Sequence, residues 1–323
     1  MKFLLTAINA KFIHSNPSIY SLRAGVGEKL QPYVELAEFT INESLESILE
    51  GIWKRQPKVI GFSCYIWNWK LIREILTELP KILPDTEIWL GGPEVTYDGP
   101  GLLSEFPQVT GIMVGEGEVT FREVLGQYVR EAESTGQSEQ QPEPDSIEQQ
   151  AADRTGTLAG KSVAERFGQI PGLCLASGYT APRELTDLTT LPFLYEDMEP
   201  FTNRIIYYET SRGCPYRCSY CLSSIDKKVR LRDIDVVKRE LQFFLDQNVK
   251  QVKFIDRTFN CDHKHAMEIW EYIYKHDNGV TNFHFEISAD ILREEEIVLL
   301  NRFRPGLAQL EIGVQSTNPE TIR

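Results

Sequence analysis

The 323-residue sequence lacks the features that mark several large classes of protein. No apolar run approaches the ~20 residues that a membrane-spanning helix needs, and no basic flank with an apolar core marks a signal peptide. Positive charge is also scarce, because 34 lysines and arginines face 47 acidic residues, which gives a net charge of −13. This balance argues against nonspecific binding to nucleic acid. We therefore expect a cytoplasmic protein without a membrane segment.

Cysteine is scarce too, but its placement is informative. The chain has six cysteines, and without an export signal we expect reduced thiols rather than disulfides. Three of them, Cys214, Cys218 and Cys221, form a Cys-x-x-x-Cys-x-x-Cys pattern. The run 204–210 before them alternates and is aromatic and β-branched, which predicts a strand. Gly213, just before the pattern, and Pro215, inside it, interrupt the strand and predict that a loop follows.

Three thiolates on one loop suit an iron–sulfur cluster. They can bind three irons of a cubane cluster and leave the fourth iron without a protein ligand. Structural zinc is the alternative, but zinc needs four ligands, and the fourth would have to be remote, either Cys261 or a histidine. Cys174 lies between apolar residues and is predicted to be a buried, inert thiol.

The segment 211–222 resembles the signature of the radical S-adenosylmethionine (radical SAM) superfamily, with Tyr220 between the second and third cysteines. The resemblance implies a 4Fe-4S cluster on Cys214, Cys218 and Cys221, whose open iron chelates S-adenosyl-L-methionine (SAM). In this family an electron from the cluster cleaves SAM and releases a 5′-deoxyadenosyl radical. The resemblance also places Tyr220 near the adenine, while packing within the loop is its structural alternative.

Residues 1–130 alternate strand-like and helix-like runs, which predicts a parallel sheet with helices on both faces. The predicted strands are 2–9, 34–41, 58–66, 87–90 and 111–114. Ligands of such folds lie at the carboxyl ends of the strands, and four of these ends are polar or rich in glycine. Glycines let a ligand approach the backbone, and the next helix offers its N-terminal amides. A ligand site is therefore predicted at this edge.

This half resembles the flavodoxin-like (Rossmann-type) cobalamin-binding domain that precedes the cluster domain in one branch of the superfamily. The matching pieces are Asn-Ala-Lys-Phe-Ile-His at 9–14, Gly-Gly-Pro-Glu at 91–94 and Gly-Glu-Gly-Glu at 115–118. The resemblance implies a corrin over the strand ends, with its nucleotide tail beside the third and fourth strands. The predicted cobalamin contacts are Asn9, His14, Ser63, Gly91, Gly92, Glu94, Gly115, Glu116 and Glu118.

One motif of cobalamin domains is absent from the sequence. Domains that bind cobalt through a histidine carry Asp-x-His-x-x-Gly, and no such motif occurs here. His14 follows the first predicted strand but lacks the accompanying aspartate and glycine. The resemblance therefore implies cobalamin with no histidine on cobalt. A hydrogen bond to the loop backbone is the structural alternative for His14.

A polar stretch separates the two halves. Residues 131–163 hold seven acidic and two basic residues and almost no large apolar side chain. Such a composition cannot bury enough surface to fold alone, so we predict a disordered acidic insertion. Residues 164–200 are predicted to bridge the domains, with a hairpin or edge strand at 168–176.

Residues 201–323 again alternate strands and helices, which predicts a partial barrel with functional residues at the carboxyl ends of its strands. The four predicted strands are 204–210, 250–256, 282–289 and 307–314. Radical SAM barrels usually have six such units, so we expect this domain to be incomplete at its C-terminus. By resemblance, Asp256, Glu286 and Gln315 contact SAM or substrate. Asp235 is predicted to cap the helix after the first strand.

Together the two resemblances predict an enzyme that uses SAM, a 4Fe-4S cluster and cobalamin, typically to methylate an unactivated carbon. No catalytic side chain is assigned, since the cofactors carry this chemistry. A radical rearrangement without methyl transfer is an alternative, and so is a regulatory protein whose cluster only carries electrons. Residues 201–260 hold twelve basic and seven acidic residues, which suits an anionic cofactor or substrate. The expected partners are an unidentified substrate and an electron donor such as a flavodoxin or ferredoxin.

Overall fold

The computed structural model describes residues 1–134 and 161–322, so most of the predicted insertion at 131–163 lies outside the described residues. The chain divides into two compact units, Met1–Thr186 and Asp187–Arg323. The boundary between them falls inside the segment predicted to be a bridge, and the first part of that segment belongs to the first unit. No helix among the described residues is both long and apolar enough to span a bilayer.

The first unit is a sheet of seven strands with helices on both faces. Its elements are β1 (Phe3–Asn9), α1 (Pro17–Gly25), β2 (Val34–Thr40), α2 (Leu45–Trp53), β3 (Val59–Ser63), α3 (Trp69–Ile82), β4 (Glu87–Gly91), α4 (Gly99–Glu105), β5 (Val109–Met113), α5 (Gly117–Ser134), α6 (Val163–Phe167), β6 (Leu173–Leu175) and β7 (Gly178–Tyr179). The order is β2-β1-β3-β4-β5-β6-β7, and the first five strands are parallel. The order of these five is that of flavodoxin-like folds, as predicted.

The core of this unit has two halves because successive side chains of a strand point to opposite faces. Leu4 and Ile8 of β1 pack on the face that α2 and α3 cover. Phe3 and Leu5 pack on the other face, with residues of α1 and α5. Every residue of β1 is buried, which explains why the strand is an almost unbroken apolar run.

A buried arginine, Arg166, joins the helices on either side of residues 135–160. Arg166 of α6 lies 3.0 Å from Glu87 at the start of β4 and 2.9 Å from Glu131 in the last turns of α5. Its guanidinium lies against the rings of Tyr128 and Phe167. The sequence predicts that the first domain ends at residue 130, but helix α5 continues to Ser134. The reason is that Glu131 in its last turns is bonded to Arg166 of α6.

We expect Arg166→Lys to lower the free energy of unfolding by about 1–3 kcal/mol, because an ammonium cannot reproduce the fork of bonds to two carboxylates. Arg73 offers a matched control, since it forms an exposed ion pair with Glu105. Arg73→Lys should cost less than about 1 kcal/mol. Urea unfolding of both variants measures the difference. Equal small losses would show that the Arg166 cluster does not fasten these helices.

The second unit contains a parallel sheet of four strands in the order β13-β12-β11-β8. Its elements are β8 (Ile206–Tyr208), β9 (Ser211–Arg212), β10 (Arg230–Leu231), α7 (Ile234–Asp246), β11 (Gln251–Phe254), α8 (His263–Lys275), β12 (Asn282–Ile287), α9 (Glu294–Leu300), β13 (Ala308–Ile312) and α10 (Pro319–Ile322). The four predicted barrel strands are confirmed. The two-residue strands β9 and β10 pair antiparallel beside this sheet.

Strand periodicity divides the second sheet into an apolar and a polar face. Phe254 and Phe285 are fully buried, and Phe285 meets the indole of Trp270 on α8 edge-on. The cap of α7 differs from the prediction. Asp233, rather than Asp235, is the N-cap residue, because its carboxylate accepts hydrogen bonds from the first backbone amides of the helix.

Candidate cofactor-binding sites

The cysteine loop, residues 213–229, joins β9 to β10, and its ends are held together. Gly213 has φ +94°, and a Cβ there would lie 2.5 Å from the carbonyl oxygen of Lys228. Only glycine fits this position, because an L side chain would be strained and would also collide. The amide of Cys214 donates to the carbonyl of Asp226 at 2.9 Å. The loop therefore leaves the sheet and returns to it at one place.

The three cysteines of the loop are free thiols. Cys214 is buried, Cys218 and Cys221 are half-buried, and the amide of Cys221 donates to the carbonyl of Cys218 at 3.1 Å. Between them Tyr220 is 72% exposed. Partial desolvation, and then the charge of Cys218, raise the pKa of its phenol. The ring is accessible to a ligand, and its contact with adenine stays a prediction.

The donor set of this loop fits a 4Fe-4S cluster. Across residues 1–134 and 161–322, no three His, Cys, Asp or Glu side chains are gathered around one ion position. A four-iron cluster makes a different demand, because each thiolate binds a separate iron. Cys261, the remaining cysteine of this unit, is half-buried, and burial raises the pKa of its thiol. Burial thus disfavours the thiolate form in which Cys261 would have to bind a metal.

Strand β11 ends against the base of the cysteine loop. Asp256 is buried there, and its carboxylate accepts hydrogen bonds from the amide of Thr210 at 3.1 Å, the hydroxyl of Thr210 at 2.6 Å and the hydroxyl of Ser211 at 2.6 Å. Burial raises the pKa of Asp256 to about 6, although these bonds act in the opposite direction. The carboxylate is therefore engaged by the loop itself, and its contact with SAM stays a prediction.

The polar face of the second sheet carries a row of charges. Lys253 Nζ lies 3.0 Å from Glu311 Oε2 and 3.5 Å from Glu286 Oε1, and His284 Nε2 lies 2.9 Å from Glu311 Oε2. The hydrogen bond from Lys253 holds the pKa of Glu311 below its usual value. Burial, and then the charge of Lys253, lower the pKa of His284. Lys253 and His284 are not among the predicted site residues, although two-residue periodicity places them on the face of Glu286.

Two predicted SAM or substrate contacts of this unit are accessible. Glu286 of β12 is partly exposed beside Lys253, and Gln315 is exposed in the segment that follows β13. Both contacts are predicted because polar residues occur at the carboxyl ends of these strands in the sequence. Nothing in the described residues places a ligand against them, so the two contacts stay predictions.

In the first unit the candidate site lies where the strand order reverses, at the carboxyl ends of β1 and β3. The side-chain amide of Asn16, the N-cap residue of α1, donates to the hydroxyl of Ser63 at 3.2 Å and so links the start of α1 to the end of β3. Asn68, at the start of α3, donates to the carbonyls of Ile8 and Ser63 at 3.0 Å and 2.9 Å. Ser63 is half-buried at this edge, within reach of a ligand that lies over it.

A glutamate of β2 organises the loop between β1 and α1. The side chain of Asn9 donates to Glu38 at 2.8 Å and to the carbonyl of His14 at 3.0 Å. The backbone amide of Asn16 and the hydroxyl of Tyr20 also donate to Glu38, at 3.0 Å and 2.7 Å. Glu38 is not among the predicted residues. Asn9 is buried and holds this loop, and its contact with cobalamin stays a prediction, as does that of His14.

The two glycines at the end of β4, Gly91 within the strand and Gly92 just after it, have different roles. Gly92 has φ +107°, and a Cβ there would lie 2.5 Å from the carbonyl oxygen of Cys64. The chain itself therefore requires glycine at this position. At Gly91 a Cβ would meet nothing closer than Met113 at 3.7 Å, and at Gly115, where φ is +78°, nothing lies within 4 Å. Gly115 thus leaves open space at the edge where the cofactor is predicted, and Gly91 could accept a Cβ in ordinary contact with Met113.

The three predicted glutamates of this edge differ in accessibility. Glu94 is exposed. Glu116 accepts a hydrogen bond from the backbone amide of Thr186 at 2.7 Å. Glu118 is buried at the start of α5 and accepts a hydrogen bond from the hydroxyl of Ser21 at 3.2 Å. Glu116 and Glu118 therefore already take part in bonds within the unit, and contact of any of the three with cobalamin stays a prediction.

The loops after β1 and β3 also expose large apolar side chains. Ile66 is 81% exposed, and Phe12 and Trp67 are exposed as well. The ring of Trp67 stacks on Tyr65, with centroids 4.3 Å apart. Exposed apolar groups at a ligand edge mark binding surfaces. Together with the open space at Gly115, they make this edge suitable for a large, flat macrocycle such as a corrin.

Family models match both units. The model for the B12 binding domain matches residues 4–125, and the model for the radical SAM superfamily matches residues 208–323. The first unit is thus a B12-binding domain and the second a radical SAM domain. The chain belongs to the radical SAM proteins that carry an N-terminal B12-binding domain.

Several curated relatives are similar over much of the chain. The 2-(S-pantetheinyl)-carbapenam-3-carboxylate methyltransferase of Streptantibioticus cattleyicolor is 27% identical, over 67% of this chain and 29% of its own length. The cobalamin-dependent radical SAM methyltransferase TokK of Streptomyces tokunonensis is 24% identical, over 63% of this chain and 28% of its own length. The anaerobic magnesium-protoporphyrin IX monomethyl ester cyclase of Rubrivivax gelatinosus is 24% identical, over 84% of this chain and 46% of its own length. The chain spans less than half the length of these relatives.

Solved structures confirm the fold class. The radical SAM methyltransferase TsrM of Kitasatospora setae, solved with tryptophan and a SAM analogue, has a TM-score of 0.66 at 18% identity, over 99% of this chain and 60% of that one. The cobalamin-dependent radical SAM enzyme OxsB, solved with aqua-cobalamin and SAM, has a TM-score of 0.69 at 17% identity, over 99% of this chain and 45% of that one.

Proposed function

We propose that the protein is a cobalamin-dependent radical SAM enzyme that transfers a methyl group to an unactivated carbon. The observation that carries the proposal is the presence in one chain of a loop with three free thiols and a B12-binding domain whose ligand edge is open at Gly115. Relatives at 27% and 24% identity are methyltransferases, which supports methyl transfer over other radical reactions.

The residues of the second unit would bind and orient two groups. Cys214, Cys218 and Cys221 would hold the cluster, and Tyr220 would offer its exposed ring to the adenine of SAM. Asp256 holds the base of the loop through the hydroxyls of Thr210 and Ser211, which precede it. The cluster supplies the electron for SAM cleavage when it is bound, and cobalamin supplies the methyl group.

In the first unit, cobalamin would lie over the carboxyl ends of β1 and β3. Gly115 leaves room for its approach, and the apolar side chains of Phe12, Ile66 and Trp67 would cover part of the corrin. Glu38 would keep the loop after β1 in shape. Without an Asp-x-His-x-x-Gly motif, the cobalt would have no histidine ligand.

A radical reaction without methyl transfer is the second candidate. The similarity to a cyclase covers 84% of the chain, more than the similarity to the methyltransferases, and favours this alternative. A regulatory role is a third and weaker candidate, because a cluster that only carries electrons needs no open iron.

The products made from SAM distinguish the three candidates. The reconstituted, cobalamin-loaded and reduced protein would be incubated with SAM whose methyl group carries deuterium. A methyltransferase should form both S-adenosylhomocysteine and 5′-deoxyadenosine, because it uses SAM as methyl donor and as radical source. A rearrangement enzyme should form 5′-deoxyadenosine alone. A regulatory protein should form neither, and that result would contradict the proposal.

We further propose that the electron donor is an acidic protein such as a flavodoxin or ferredoxin, which would be met in the cytoplasm. Lys227 and Lys228 lie exposed in the cysteine loop, and Leu222 and Ile225 add exposed apolar surface to the same loop. Positive charge here stands out in a chain whose net charge is −13. An acidic partner would be attracted to this loop rather than to the rest of the surface.

We expect the double variant Lys227→Glu/Lys228→Glu to slow reduction of the cluster by flavodoxin about tenfold at low salt, since electrostatic steering is worth at least this factor. Stopped-flow absorbance measures the rate. Reduction by dithionite should be unchanged, and Lys29→Glu, an exposed lysine of the first unit, should have no effect. If neither the double variant nor added salt changed the rate at which flavodoxin reduces the cluster, docking at this loop would be refuted.

A further inference from the structure

The first cysteine of the loop has a hydroxyl partner. Thr258 is buried, its Oγ1 lies 3.4 Å from Cys214 Sγ, and its hydroxyl donates to the carbonyl oxygen of Arg257 at 2.9 Å. In the thiol form, either Cys214 or Thr258 could be the donor of this contact. A thiolate has no hydrogen to give, so in the deprotonated form only the hydroxyl can be the donor of the sulfur contact, and its single hydrogen must then turn from the carbonyl of Arg257 to the sulfur.

The segment that carries Thr258 is anchored on both sides. Two residues earlier, Asp256 accepts hydrogen bonds from Thr210 and Ser211 at the base of the cysteine loop. Two residues later, the side chain of Asn260 exchanges two hydrogen bonds of 2.9 Å with the backbone of Ser288 at the end of β12. Both anchors are buried. The hydroxyl of Thr258 is thus held at a fixed place beside the sulfur.

We infer that Thr258 is a positioning residue of the iron–sulfur cluster, and that its hydroxyl donates to the Cys214 thiolate and raises the reduction potential of the cluster. The inference rests on the proposed function, because Cys214 is a cluster ligand only there. Hydrogen bonds to cluster sulfurs are among the main determinants of reduction potential. A donor stabilises the reduced cluster more than the oxidised one, since the reduced cluster carries one more negative charge.

The test compares two substitutions at one position. Thr258→Val removes the hydroxyl and nearly keeps the shape, whereas Thr258→Ser keeps the hydroxyl. The potential of the reconstituted cluster is measured by redox titration followed by electron paramagnetic resonance, and iron is assayed in parallel. We expect a more negative potential for Thr258→Val than for the parent protein, and the parent's potential for Thr258→Ser. Iron content should stay close to the parent's in both.

The measured potentials and iron contents decide the matter. Equal reduction potentials for the parent and Thr258→Val would overturn the inference. The same negative shift of the potential in Thr258→Val and Thr258→Ser would also overturn it. Loss of iron from Thr258→Val alone, with an unchanged circular dichroism spectrum, would also overturn it, because the hydroxyl would then be needed to retain the cluster rather than to raise its potential. Loss of iron from both variants would overturn it. A parent protein that binds no iron would instead refute the proposed function.

Discussion

Replacing any one of Cys214, Cys218 and Cys221 with alanine is expected to remove nearly all iron from the reconstituted protein. The parent should bind about four irons per chain, because three thiolates suffice to hold a four-iron cluster with one open iron. Each thiolate binds a separate iron, so no neighbouring cysteine can replace a lost one. Iron and zinc analysis after anaerobic reconstitution measures the effect.

The remaining cysteines provide matched controls. Cys64 and Cys174 are buried in the first unit, and burial raises the pKa of both thiols. Cys261 is half-buried in the second unit and also has a raised pKa. Alanine at any of these positions should leave iron content unchanged. Complete loss of metal from Cys261→Ala would mean that the site is closed by a fourth cysteine, and a zinc or electron-transfer site would then explain the loop better.

Gly92→Val is expected to unfold the first unit or to destabilise it by more than about 4 kcal/mol. The reason lies in the chain, because φ is +107° and a Cβ would lie 2.5 Å from the carbonyl oxygen of Cys64. Neither the backbone conformation nor the contact can be relieved by a rotamer change. Thermal unfolding measured by circular dichroism, together with absorbance titration of cobalamin, reports stability and binding.

Gly91→Ala is the control for this experiment. A Cβ at Gly91 has ordinary contacts with Met113 at 3.7 Å, so stability should change by less than about 1 kcal/mol. If the cobalamin tail runs over this position, as the resemblance implies, Gly91→Val should weaken binding while the unit stays folded. A Gly92→Val protein as stable as the parent would contradict the structural role assigned to this glycine.

Elements whose pattern is local could be predicted from the sequence. The buried run of β1 and the parallel strands that follow it show their periodicity within short windows. The cysteine loop could be placed because glycine and proline interrupt the strand before it. The cap of α7 shows the limit of such reasoning, since both Asp233 and Asp235 suit a helix start and only the backbone selects between them.

Partners that are distant in sequence could not be predicted. Glu38 contacts Asn9 from a neighbouring strand, and Thr258 contacts Cys214 across 44 positions. Arg166 reaches Glu131 across a polar stretch that gives no sign of a folded partner beyond it. Each of these contacts depends on tertiary packing, which no short sequence window contains.

The sequence predicts that polar residues at strand ends face ligands, and several of them also form hydrogen bonds within the protein. Asn9 holds the loop after β1, Glu118 accepts a bond from Ser21, and Asp256 holds the base of the cysteine loop. Sequence alone cannot separate a residue that touches a ligand from one that shapes its site, because both are polar and lie at the same edge. Tyr220, Glu286 and Gln315 remain the accessible predicted contacts of the second unit.

The central claim is that this chain holds a 4Fe-4S cluster whose fourth iron is open to SAM. The most direct measurement is the electron paramagnetic resonance spectrum of the reconstituted, dithionite-reduced protein with and without SAM. The account predicts a cluster signal whose g values change when SAM is added, because SAM would bind the iron that lacks a protein ligand. A cluster signal that stays identical at saturating SAM would contradict it.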